Sequence, residues 1–131
     1  MCASAIEYYV SRGEEVVTEE TIAGDGLLAN LCVDWEARAD SVKDRYQGGK
    51  CLFGLILSQK GGILKLLTLA SYLKVGMGAV NGSNVFTWVS IEDVVGSILY
   101  SICNTIIRGP INMVSLSPMQ ASDFFVLDLN T

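Results

Sequence analysis

Residues 51–57 form a short apolar run set between two glycine pairs, Gly48-Gly49 and Gly61-Gly62. The run has no polar alternation. It therefore suits a strand buried on both faces, and such strands belong to parallel sheets covered by helices. Residues 2–6, 85–89 and 111–115 read as further strands, with Gly109-Pro110 as the turn before the last of them. Helical patterns fall between them, over residues 27–44, over 63–74, and from Ser90 onward. Strands alternating with helices predict an α/β fold with a mostly parallel sheet. A last helix is predicted from Pro118 to about residue 129.

In the first helical segment Leu27, Leu28, Leu31, Trp35 and Ala39 recur at helical spacing and predict a buried face. Asp34, Glu36, Arg38, Asp40 and Lys43 take the other side, where water is expected, and Asp25 is the expected N-cap. Ser90, three residues before Asp93, predicts a capped start to a later helix. Ile91, Val94, Val95, Ile98, Leu99 and Ile102 form its wide apolar face. Residues 14–26 are polar and read as a surface loop, and residues 76–84 as a glycine-rich one.

Composition removes several kinds of chemistry. The 131 residues are 50% hydrophobic with a mean hydropathy of +0.41, which fits one packed domain and not a disordered chain. There is no histidine, so a Ser-His-Asp triad, a Cys-His pair and an imidazole metal site are all excluded, and no metal is expected. The net charge of −5 argues against nucleic acid, whose phosphates need clustered Lys and Arg. An anionic ligand held by backbone amides stays open. Residues 1–45 carry ten acids and four bases, while residues 46–131 carry four acids and five bases. The first part reads as a solvated face; the charge-poor second part must be core or be covered by something else.

Cys2, Cys32, Cys51 and Cys103 form no C-x-x-C pair, so they read as buried free thiols of a cytoplasmic protein. The opening residues lack the basic start and apolar run of a signal peptide. The longest apolar stretch, residues 63–73, is interrupted by Lys65 and falls short of a membrane span.

Six short motifs stand in a telling order. They are Ala3-Ser4-Ala5-Ile6-x-Tyr8-Tyr9, Gly13-Glu14-x-Val16-Val17-Thr18-Glu19-Glu20, Trp35-Glu36, Gly61-Gly62-Ile63-Leu64, Trp88-Val89-x-Ile91-x-Asp93 and Gly109-Pro110-x-Asn112-x-Val114. Together they resemble the NAD-dependent epimerase/dehydratase-like branch of the extended short-chain dehydrogenase/reductases, the nucleoside-diphosphate-sugar epimerase and cell-division-inhibitor branch. The resemblance covers nearly all 131 residues. It implies a partial Rossmann-like domain over residues 1–131, the C-terminal catalytic and substrate-side part. Such proteins hold NAD or NADP with a G-x-G-x-x-G turn. Here the nearest match, Gly76-Met77-Gly78, lacks the third glycine, so the chain alone is expected to bind neither cofactor.

The resemblance also assigns roles. Ser4 would be catalytic, its hydroxyl bonded to a substrate carbonyl or hydroxyl beside the nicotinamide. Tyr8 would be catalytic and Tyr9 would line the pocket for a nucleotide-sugar-like substrate. Gly54 and Leu55 fall where the family chain passes the nicotinamide; Trp88 and Asn112 read as structural. The wider superfamily uses Tyr-x-x-x-Lys, in which lysine lowers the tyrosine pKa. The matching stretch here begins at Leu28 and ends at Cys32, with neither group present. Glu7 and Val10 replace the glycines that flank the tyrosine pair in the family, and strain is expected at both. Leu52-Phe53-Gly54 lacks the family arginine, and Gly82-Ser83-Asn84-Val85 lacks the family's basic residue. A fragment inactive alone is the expectation, partnered by an N-terminal half or by itself. The alternative is a non-enzymatic interaction module.

Overall fold

The computed structural model describes residues 1–13, 15–42, 48–72 and 85–120. They form two compact units. The first comprises residues 1–53 and 94–113, the second residues 54–93 and 114–131.

In the first unit, strands β1 (Cys2–Ala5), β2 (Gly49–Phe53) and β6 (Gly109–Met113) make a parallel sheet in the order β1-β2-β6. The register sets Ser4 beside Leu52, and Leu52 beside Asn112. Cys51 and Leu52 on the central strand β2, and Met113 at the end of β6, are buried. Helix α1 (Leu27–Asp40) packs on β1, over the face that carries Cys2, Ser4 and Lys50. Between β1 and α1 the chain makes one 3-10 turn, Ile6–Tyr8, and then a polar loop.

The second unit pairs β3 (Leu55–Leu57) with β5 (Trp88–Ser90) in parallel, and β4 (Val85–Phe86) with β7 (Met119–Gln120) antiparallel. Helix α2 (Ile63–Tyr72) packs on β3. Helix α3 (Ile91–Cys103) follows β5 directly and carries the chain back into the first unit. The predicted cap is present: Ser90 Oγ accepts the Asp93 amide at 3.0 Å and donates to its carboxylate at 2.8 Å.

Several expectations change. The apolar run over residues 51–57 is two strands, β2 and β3, because the chain breaks at Gly54 and the halves take different partners. The run over residues 85–89 is likewise β4 and β5, split at Thr87. Gly109-Pro110 is not a turn but the start of β6, and that strand ends at Met113. Met119 and Gln120 are a strand where a helix was expected; residues 121–131 lie outside the described ones, as does the glycine-rich loop over residues 76–84. Helix α1 ends at Asp40, and its N-cap is Gly26, not Asp25.

The largest change concerns which side of α1 is buried. Ala29 is fully buried and Glu36 is 6% exposed, whereas Leu27 is 85%, Leu31 57% and Trp35 58% exposed. The apolar stripe faces outward and a carboxylate faces the sheet. Helix α3 divides its apolar face in the same way: Val94 is buried, while Val95, Leu99 and Ile102 are exposed.

Strain is found at one of the two positions expected. Glu7 is exposed within the 3-10 turn, but Val10 adopts φ +59°. A β-branched residue is a true outlier in that left-handed region. Gly24 packs so closely here that a Cβ on it would stand 2.6 Å from Val10 Cγ2 and 2.7 Å from the Tyr9 carbonyl oxygen. Val10→Gly is therefore expected to stabilise the protein by about 1 kcal/mol, relief of strain exceeding the entropy that glycine adds to the unfolded chain. Glu7→Gly should give no gain. Urea melting of both variants checks the difference between them.

Candidate functional site

In open α/β sheets ligands bind beyond the carboxyl ends of the strands. At that end of the first unit's sheet stand Ser4, near the end of β1, and Asn112, near the end of β6. Ser4 Oγ donates to Glu36 Oε1 at 2.6 Å. The other oxygen of that carboxylate, Oε2, lies 3.4 Å from Lys50 Nζ, and Lys50 also donates to Asp40 Oδ2 at 2.7 Å. Glu36 and Asp40 are one helical turn apart, so both reach the same lysine from α1. The result is a half-buried polar seam, Ser4–Glu36–Lys50–Asp40, between helix and sheet.

Burial of the Lys50 ammonium pulls its pKa down. The hydrogen bond and charge of Asp40, with the charge and hydrogen bond of Glu36, outweigh this and hold the pKa above the ordinary 10.5. A raised lysine pKa contributes stability below the unfolded value, and that stability is lost as pH rises through the folded one. The seam should therefore remain intact through neutral pH and fail above about pH 10.5. Thermal melts in steps from pH 8 to pH 12 check this, against a Lys50→Met variant that should show less of the alkaline loss.

Tyr9 is buried and its hydroxyl donates to Asn112 Oδ1 at 3.0 Å. Burial raises its pKa; the Asn112 bond opposes this, while nearby Glu19, Tyr8 and Glu36 add to it. Tyr9 is accordingly a neutral phenol, a hydrogen-bonding group and not a base. The Asn112 backbone N–H donates to Glu19 Oε1 at 2.8 Å, which ties the polar loop to the outer strand β6. The loop is closed further by Gly24 N–H donating to the Tyr8 carbonyl at 2.9 Å and by Arg12 bonds to the Tyr9 and Ile22 carbonyls. Tyr8 sits edge-on to Tyr9, ring centroids 5.1 Å apart.

Ser4, Tyr8 and Tyr9 thus lie in one unit, at one end of one sheet. Gly54 and Leu55 belong to the second unit. There a Cβ on Gly54 would stand 2.5 Å from the Thr87 carbonyl oxygen and 3.1 Å from Val114 Cγ1. The Leu55 amide donates to that same carbonyl at 2.8 Å. The bare side of Gly54 is filled by the protein's own backbone, and Leu55 N–H is already engaged.

Helical periodicity predicts Glu36 and Asp40 on the water side and singles out no role for Lys50, yet these three residues hold the seam. The available signal was Lys50 itself, a lone charge entering an apolar strand, which needs a carboxylate partner once buried. Cys51 is buried and its thiol pKa is raised chiefly by that burial, which leaves it an unreactive core residue. Among the described residues no helix is long and apolar enough to cross a membrane.

No family model matches the chain. It is 32% identical over 125 residues to an epimerase family protein of Mycobacterium leprae, covering 93% of this chain and 40% of that protein. The structure of the nucleoside-diphosphate sugar epimerase from Corynebacterium glutamicum superposes with a TM-score of 0.86 at 32% identity, over 97% of this chain and 28% of that one. Human epimerase family protein SDR39U1, solved with NADPH, shares the fold at a TM-score of 0.80 and 23% identity, over 92% of this chain and 41% of that one. The chain spans about two fifths of the length of the curated relatives it matches. With its parallel strands, its ordered motifs and these likenesses, the chain is similar to a portion of the longer epimerase family proteins and shares the fold of the nucleoside-diphosphate sugar epimerase structure.

Proposed function

We propose that this chain is the substrate-side portion of an NAD(P)-dependent, nucleotide-sugar epimerase-like protein, and that it is inactive alone. The observation that carries this is Ser4, bonded to Glu36 at the carboxyl end of a parallel strand, where the family motif sets a substrate-facing serine. In this reading Ser4 meets the reacting sugar oxygen, Tyr8 stands beside it, and Tyr9 with Asn112 lines the pocket wall. Gly54 and Leu55 lie on the stretch nearest the nicotinamide in the family. When bound, NAD or NADP would supply hydride transfer. This chain's sequence has no G-x-G-x-x-G turn to hold the pyrophosphate. Titration with NADPH, read by calorimetry, should show no binding tighter than about 10 μM, roughly −7 kcal/mol. A tighter constant would overturn the inactive-alone reading.

A second reading is favoured by the outward apolar residues of α1 and α3, among them Leu27, Leu31, Trp35, Leu99 and Ile102. Large apolar side chains left outward on one helix face mark surfaces that another protein can cover. Under it the chain is an interaction module, paired with a second copy or with a separately made N-terminal half.

A further inference from the structure

We infer that residues 15–25 form a hinged strap that gates the Tyr9–Asn112 pair at the carboxyl end of the sheet, with Glu19 as its latch. The strap holds its own shape. Thr21 N–H donates to the Thr18 carbonyl at 3.0 Å, and Thr18 N–H donates to Thr21 Oγ1 at 3.0 Å. Arg12 Nη2 donates to the Ile22 carbonyl at 2.8 Å. Two of its apolar side chains, Val16 and Ile22, are exposed and add little to holding it down. What fastens it are the bond from Gly24 N–H to the Tyr8 carbonyl, at 2.9 Å, and the bond from Asn112 N–H to Glu19 Oε1, at 2.8 Å. Segments fastened by so few buried contacts open locally, well below the free energy of global unfolding.

Backbone positions with positive φ flank the strap: Val10 at +59° and Gly13 at +66° on one side, Gly26 at +130° on the other. Glycine turns there without steric cost, but valine does not. A strained residue keeps such an angle only while its surroundings impose it. Here the returning leg imposes it: Gly24 lies so near that a Cβ on it would stand 2.6 Å from Val10 Cγ2. Opening the strap therefore releases strain at Val10, and the Glu19 latch opposes that release.

The strap gates the site whichever ligand enters, so the test uses none and leaves the nucleotide-sugar reading untouched. Hydrogen exchange is resolved to single amides on the full chain, each rate divided by that of the unstructured peptide. In the wild-type chain Gly24 and Asn112 should exchange at similar rates, at least about tenfold faster than Cys51, a buried residue of the central strand that reports global unfolding. In Glu19→Ala the Gly24 amide should speed up about fivefold, the effect of one lost hydrogen bond, although its own partner on Tyr8 is untouched. Val10→Gly should slow both amides about fivefold, because the closed strap no longer carries strain. Acetylation of the buried Tyr9 phenol by N-acetylimidazole should follow the same order, fastest in Glu19→Ala and slowest in Val10→Gly. Gly24 and Asn112 exchanging no faster than Cys51 in the wild-type chain, which needs no variant to fold, overturns the strap. So does a Gly24 rate unmoved in Glu19→Ala. Tyr9 acetylated at one rate in all three chains overturns the gate.

Discussion

Lys50→Met is expected to destabilise the chain by roughly 3 kcal/mol, the lower end of what removing one partner of a buried ion pair costs. Methionine keeps the length and apolar stem of lysine, so packing changes little. What changes is Glu36, whose side chain is 8% exposed and which would then stand beside Ser4 with no counter-charge. Asp40, with its side chain 43% exposed, can turn to water. The double variant Lys50→Met with Glu36→Gln should recover at least half the loss, since a neutral amide is far cheaper to bury than an unpaired carboxylate. Urea melting followed by tryptophan fluorescence measures both. A loss below about 1 kcal/mol for Lys50→Met would mean that the seam behaves as a surface pair.

Gly54→Ala should cost roughly 2–3 kcal/mol, because the new methyl overlaps backbone that cannot step aside. The Thr87 carbonyl oxygen would be 2.5 Å from it, and that oxygen already accepts the Leu55 amide. Either β3 shifts along β5 or the hydrogen bond is lost. Gly61→Ala is the control, since a Cβ there meets nothing within 4 Å. It should stay within about 0.5 kcal/mol of the parent. Equal effects at the two positions would remove the close approach as the reason for glycine at position 54.

The alternation of strands and helices was legible because short apolar runs between glycines have few other uses. The parallel pairing of β1, β2 and β6 follows from it. The breaks at Gly54 and Thr87 were not legible, since they arise where two segments distant in sequence cross too closely for a side chain. The orientation of α1 is the reverse of the one its periodicity predicts. Leucines and a tryptophan at helical spacing predict a core face only when the core is apolar at that point. Here the sheet presents Ser4 and Lys50, and the matching side of the helix is Ala29, Glu36 and Asp40. Within the site, Ser4, Tyr8 and Tyr9 could be named from the ordered motifs. Their supports, Glu36 and Asn112, stand in the same motifs, but the pairings are not legible there: Asn112 is 103 residues from Tyr9, and Glu36 is 32 from Ser4. Val10 was legible as a departure from glycine, and its positive φ gives that departure a physical cost.

We propose that the outward apolar residues of α1 and α3 are covered by a second chain. Light scattering on the purified 14.1 kDa chain, with a thermal melt, tests this most directly. The expected result is a mass above that of the monomer, lowered when Leu31 and Leu99 are both changed to glutamate on the exposed stripes of α1 and α3. A single monomeric species that unfolds in one cooperative transition would contradict it.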